Sequence, residues 1–219
     1  MVTLKDVREN TTVKAYLQKA NEFLGAIGYT EHGDHHASIV AERAKSILLK
    51  LSKNKRRAEL AAIAGYLHDI GNVVARCHHA LYSAFVAQNV LEKLNVPAYE
   101  IAEIVGAIGN HHEEEGEVVS DISAALIIAD KSDVHYSRVR NPQAIKGDIH
   151  DRVNYAARKT ELLVDDKEKS ITLQISIDPA ISSVMEYFEI FLIRMVMSRK
   201  AAKFLGVDFK LIINGVMLT

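Results

Sequence analysis

Apolar positions in the first two thirds of the chain recur at helical spacing. Tyr16, Leu17, Ala20, Phe23, Leu24 and Ile27 repeat at intervals of one, three and four, marking the apolar face of a helix that Gly25 and Gly28 bring to an end. A polar turn, Tyr29 to Asp34, follows. From His36 onward Val40, Ala44, Ile47 and Leu51 keep the same period, so His36 lies on a buried stripe one turn ahead of Val40. A further helix carries Leu60, Ile63, Ala64 and Leu67 into His68-Asp69, with Gly71 placed to stop it. Another runs from about His79 through Phe85, Val86, Val90 and Leu94. The next opens at Pro97 and carries Ile101, Ile104, Val105 and Ile108 into His111-His112. Ser120 can cap a last helix whose Ile122, Leu126 and Ala129 lead to Asp130.

The pattern changes after Asp165. Ile171, Leu173, Ile175 and Ile177 alternate with Thr172, Gln174 and Ser176, the period of a half-buried strand. A helical stretch from Pro179 to about Leu205 follows, and Phe209 to Leu218 reads as a second strand. The expectation is a mainly α protein: a helical core over residues 1–160, a linker near residues 160–169, and a small α+β (strand-helix-strand) extension over residues 161–219, a cap or dimerisation element. Val184, Phe188, Phe191, Leu192 and Met195 form a stripe that suits either core or a dimer seam.

The chain has 219 residues, long enough to bury a sizeable core. Its 27 basic and 28 acidic residues nearly balance, which argues against a basic surface for extended nucleic acid and requires any phosphate to be captured locally. The lone Cys77 cannot form an internal disulfide, and no apolar run is long enough to span a membrane. A soluble, cytoplasmic protein is the expectation.

Candidate chemistry sits at the helix ends. His68-Asp69, answered by His36 upstream and Asp130 downstream, supplies two imidazoles and two carboxylates, a mixed nitrogen and oxygen set that suits Mn, Fe, Zn or Mg. A single inward histidine is ordinarily a hydrogen-bonded core residue. Four such residues at the ends of successive amphipathic helices make a metal the better explanation.

His36, His68-Asp69 in Leu67-His68-Asp69-Ile70-Gly71, and Asp130 in Ile128-Ala129-Asp130-Lys131 together resemble the HD-domain superfamily of metal-dependent phosphohydrolases, over roughly residues 30–140. The resemblance implies an HD-domain helical bundle of five or more helices with the metal between them. His68 and Asp69 are the expected catalytic pair, acting through a metal-activated hydroxide. His79 and His111-His112 resemble the additional ligands of subfamilies with binuclear centres, including cyclic dinucleotide phosphodiesterases, so one divalent metal is expected and a second is implied, with Asp69 bridging. His78 is an alternative to His79, and His111 continues the Ile101, Ile104, Ile108 face by one turn. No Gly-Tyr-Pro element follows His112, where cyclic di-GMP phosphodiesterases would carry one.

The implied partner is a small phosphorylated substrate of nucleotide type. Lys131, Arg138 and Arg140 are the candidates for binding its phosphate, arginine being suited to bidentate contact. Lys131 and Asp133 share one helix with the metal ligand, so one of the two is expected on the surface. His32 and His35 are either pocket residues or part of a solvated turn. The second His-Asp pair, His150-Asp151, reads as a helix N-terminus, and the acidic run Glu113 to Glu117 as a solvated loop. Two other classes compete: a non-catalytic nucleotide- or metal-sensing module on the same fold, and a di-iron oxygen-activating enzyme.

Overall fold

A computed structural model describes residues 1–114 and 116–218. Nine α-helices and four strands occur among these residues. The helices are α1 (Leu4–Glu9), α2 (Thr11–Ala26), α3 (Asp34–Leu51), α4 (Lys55–Leu67), α5 (His79–Lys93), α6 (Ala98–Gly109), α7 (Asp121–Lys131), α8 (Ile149–Ala156) and α9 (Val184–Phe204). Strands β1 (Ala157–Asp165) and β2 (Ser170–Ile177) precede α9, and β3 (Asp208–Ile213) and β4 (Val216–Met217) follow it. No helix among the described residues is long and apolar enough to cross a membrane.

Two helices have no polar face along most of their length. Every residue of α4 from Leu60 to Leu67 is buried, as is every residue of α7 from Ile122 to Ala129. A helix that is apolar all round belongs in the interior, and α3, α6 and α9 pack around this pair. The ends of α4 and α7 therefore lie deep in the molecule, and those ends carry His68-Asp69 and Asp130. The α3 helix approaches α4 closely because Gly65 has no side chain; a Cβ there would lie 2.9 Å from the Ala41 Cα.

Gly71 is not a helix stop. It sits in a short 3-10 turn, Ile70–Val73, and its φ is not left-handed. Glycine is required there by close packing: a Cβ would lie 2.2 Å from the Ser83 backbone nitrogen and 2.7 Å from the His79 carbonyl oxygen of α5. The turn after the metal-type dipeptide is thus wedged directly against the helix that carries His79.

The C-terminal segment departs from the expected linker and two strands. The helical pattern ends at Ala156, and residues 157–165 form β1, paired antiparallel with β2; the expected linker is the end of β1 and a hairpin turn. Charged Arg158, Lys159, Glu161 and Asp165 hide the strand in the sequence, because one face of an edge strand is free to be polar. The final segment is likewise two strands, folded at Asn214-Gly215, both at positive φ (51° and 81°) as a tight hairpin demands. Strand order is β1-β2-β3-β4, with α9 crossing between the parallel pair β2 and β3. Residue 160, the expected domain boundary, falls within β1, and one continuous apolar core joins the helices to the sheet. Of the α9 stripe, Phe191 and Met195 are core, whereas Leu192 is 53% exposed.

Gly71→Ala should cost about 1–3 kcal/mol through overpacking, seen as a lower midpoint in thermal unfolding. An unchanged midpoint would mean that α5 is not wedged against this turn.

Candidate metal centre

Five elements converge on one buried point. His36 stands in the first turn of α3, His68 and Asp69 follow α4, His79 begins α5, His111 follows α6, and Asp130 is the penultimate residue of α7. All are buried except Asp130, whose side chain is 14% exposed. His36 Nε2 lies 3.3 Å from His68 Nε2, 3.4 Å from Asp130 Oδ1 and 3.8 Å from Asp69 Oδ2. Asp69 Oδ2 is 3.4 Å from His68 Nε2, and Asp69 Oδ1 is 3.4 Å from His79 Nε2. Two overlapping sets bring their donor atoms within 4.8 Å of one another: His36, His68 and Asp130, and His68, Asp69 and His111.

The opposite edge of each imidazole is held by an acceptor. His68 Nδ1 donates to the Gly65 carbonyl at 2.8 Å, and His111 Nδ1 to the Ile108 carbonyl at 2.6 Å. His36 Nδ1 donates to Asp133 Oδ2 at 2.7 Å, and His79 Nδ1 to the Arg76 carbonyl at 3.2 Å. A carbonyl or an ionised carboxylate can only accept, so Nδ1 carries a proton and each ring turns its Nε2 inward. Such contacts orient metal-binding histidines.

The electrostatics point the same way. Burial opposes charge on Asp69 and Asp130, yet surrounding histidines, and for Asp130 foremost Lys131, hold both carboxyls well below their usual range. On His68 burial disfavours the cation, but Asp69 and Asp130 outweigh it and raise its pKa. Burial, aided by Arg76, pushes His79 down to about 4 against the pull of Asp69, so it is neutral at pH 7. Buried ionised carboxylates beside inward Nε2 atoms call for a positive partner, because buried charges are paired or coordinate a metal. The residues present fit a divalent ion.

The other expected residues are placed unevenly. His112 contacts the His79 ring (centroids 4.9 Å apart), half-buried at the cavity wall. His79 is inward, while His78 is exposed beside it, so the alternative between them is decided by the helix start. His32 reaches the site, its ring 5.5 Å from that of His36, whereas His35 is exposed and meets Ser137. His150 lies in the first turn of α8, which Asp148 caps, and also lines the cavity.

The three candidate phosphate binders are occupied elsewhere. Lys131 is buried and donates to Asp130 Oδ2 at 2.7 Å and to Glu113 Oε2 at 2.6 Å. Asp133 is buried too, so neither reaches the surface: α7 ends at Lys131, and the chain beyond it no longer follows helical periodicity. Arg138 spends its guanidinium on the carbonyls of Glu31 and Asp133. Arg140 fastens the Tyr29 and Asn21 carbonyls and does not line the cavity. Glu113 is turned inward by Lys131 and Arg194, against the solvated-loop expectation; Glu115 of that run lies outside the described residues. Sequence reasoning missed Asp133, whose signal is its i+3 spacing from Asp130, and the Glu113–Arg194 contact, which has no local signal.

Beside this cluster opens a cavity of about 650 Å³, walled by Tyr29, His32, Arg76, His79, His112, Glu113, Phe191 and Arg194 among others. Its size is that of a small-molecule site.

A helical fold that gathers buried histidines and carboxylates beside a cavity defines a candidate metal centre. The HD domain matches residues 33–136. An uncharacterized protein of Methanocaldococcus jannaschii is 31% identical over 191 residues, which cover 76% of this chain and 73% of that protein. This chain belongs to the HD-domain family. A crystal structure of a predicted HD superfamily hydrolase from an uncultured Thermotogales bacterium superimposes with a TM-score of 0.45 at 24% identity, over 57% of this chain and 67% of that one.

Asp133→Asn should weaken divalent-metal affinity by about 10–100-fold, because the His36 ring loses its anionic anchor. Competition with a chelator measures this, and an unaltered affinity would show that Asp133 does not tune the site.

Proposed function

We propose that this protein is a metal-dependent phosphohydrolase that cleaves a phosphate monoester or diester of a nucleotide or similar small molecule. The supporting observation is the convergence of inward Nε2 lone pairs and two ionised carboxylates on one buried point beside a small-molecule cavity. His36, His68 and Asp130 would hold one divalent ion and His79 and His111, with His112 at the cavity side, a second. Asp69 would serve both, since its two oxygens face different histidines. When bound, such ions lower the pKa of water towards roughly 7 and polarise a phosphoryl oxygen.

The remaining work falls to the chain. Asn72 donates to Asp69 Oδ1 at 2.9 Å and so fixes the carboxylate's rotamer. Lys131 holds the far oxygen of Asp130 and balances its charge. Neutral His79 keeps its Nε2 lone pair available at pH 7. Apolar α4 and α7 close the back of the site to water, so a substrate must enter from the cavity.

The test pairs elemental analysis of protein purified without added metal with a screen of phosphate esters and cyclic dinucleotides. Two metals per chain with turnover are expected in the wild type, with metal and turnover falling in His68→Ala and His79→Ala. Metal loss only in His68→Ala would reduce His79 to a structural role. Bound metal with no hydrolysis would favour a sensor or an oxygen-activating enzyme.

A further inference from the structure

We infer that Arg76 seats the phosphoryl group of the substrate, an inference that rests on the phosphohydrolase reading. Arg76 lies between the Ile70–Val73 turn and α5, three residues before His79. Its side chain lines the cavity together with His32, His79 and His112. The Arg76 carbonyl accepts from His79 Nδ1 at 3.2 Å, which ties this residue to the centre's open side.

What distinguishes Arg76 is that its donors are unspent. Arg138 and Arg194, the other guanidiniums of the wall, are committed to carbonyls and to Glu113. Among the described residues Arg76 has no carboxylate partner, and its one side-chain hydrogen bond is a long contact of 3.5 Å to Asn72 Oδ1. The guanidinium carbon instead stands 5.1 Å from the centre of the Tyr29 ring. A cation over an aromatic face is held through that face, which leaves the N–H edges free for a planar, bidentate contact with phosphate oxygens.

The platform beneath Arg76 is itself braced. Tyr29 N–H donates to the Leu24 carbonyl at 2.9 Å, and the Tyr29 carbonyl accepts from Arg140 Nε at 2.8 Å. Arg140 therefore contributes to phosphate capture only at one remove, by fixing the loop on which Arg76 rests. The cavity also carries Glu113, Glu114, Asp148 and Asp151, so Arg76 supplies a local anchor for an anion within a wall of mixed charge.

Inorganic phosphate is the probe. Its binding to metal-loaded wild type, Arg76→Met and Arg76→Lys is measured calorimetrically, with metal content determined on the same samples. The expected result is full metal content in all three, phosphate binding weakened about ten-fold or more in Arg76→Met, and partial recovery in Arg76→Lys. Unchanged phosphate affinity in fully loaded Arg76→Met would overturn the assignment while leaving the phosphohydrolase reading intact. Loss of metal in Arg76→Met would also overturn it, by making Arg76 a support of the centre. Absence of phosphate binding in loaded wild type would overturn that reading and the assignment together.

Discussion

The 3.3 Å approach of His36 Nε2 to His68 Nε2 is the constraint on which the rest of the structure depends. Both rings donate from Nδ1, so in their neutral forms two lone pairs face each other within a shell of carboxylates. A bound cation relieves the repulsion between them, as does a proton on His68, whose pKa Asp69 and Asp130 raise. The helices that carry these rings approach closely, α3 against α4 at Gly65, where a Cβ would lie 2.9 Å from the Ala41 Cα. The fold thus holds acceptors in place ahead of the ligand, which reduces the ordering cost of binding.

Maintaining such a cluster requires compensation behind it. Asp133 anchors His36, and Arg138 lies close to its carboxylate. Lys131 joins Asp130 to Glu113, and Glu113 is joined to Arg194. Buried Lys131 and Arg138 and half-buried Arg194 thus support the metal-type cluster, which is why the same residues are unavailable to a substrate. A buried charge with a committed partner cannot also serve as an open binding group.

The C-terminal segment takes part in this arrangement. Helix α9 packs on α7, and its Phe191 and Arg194 form part of the cavity wall. Arg194 lies over the Phe191 ring and reaches Glu113, connecting a segment beyond the matched HD residues to the ion pairs around Asp130. The cavity is consequently shaped by both parts of the chain.

The sequence by itself determined most of the helices, the inward faces of His36 and His111, and the terminal placement of His68, Asp69 and Asp130, whereas the choice between His78 and His79 was left to the structure. These follow from periodicity, which is a local property of the chain. It also contained the alternating strand β2. It did not reveal β1, whose charged residues are tolerated on an exposed face, whereas the hairpin at Asn214-Gly215 is signalled by the Asn-Gly pair that a single strand from Phe209 to Leu218 passes over. Only the tertiary structure decided which cations are free. Lys131, Arg138 and Arg140 look alike as candidates in sequence, and each is consumed by a carboxylate or carbonyl brought from elsewhere in the chain. Arg76 is unspent because the partner that folding brings to it is the Tyr29 ring, which holds the charge without using its donors.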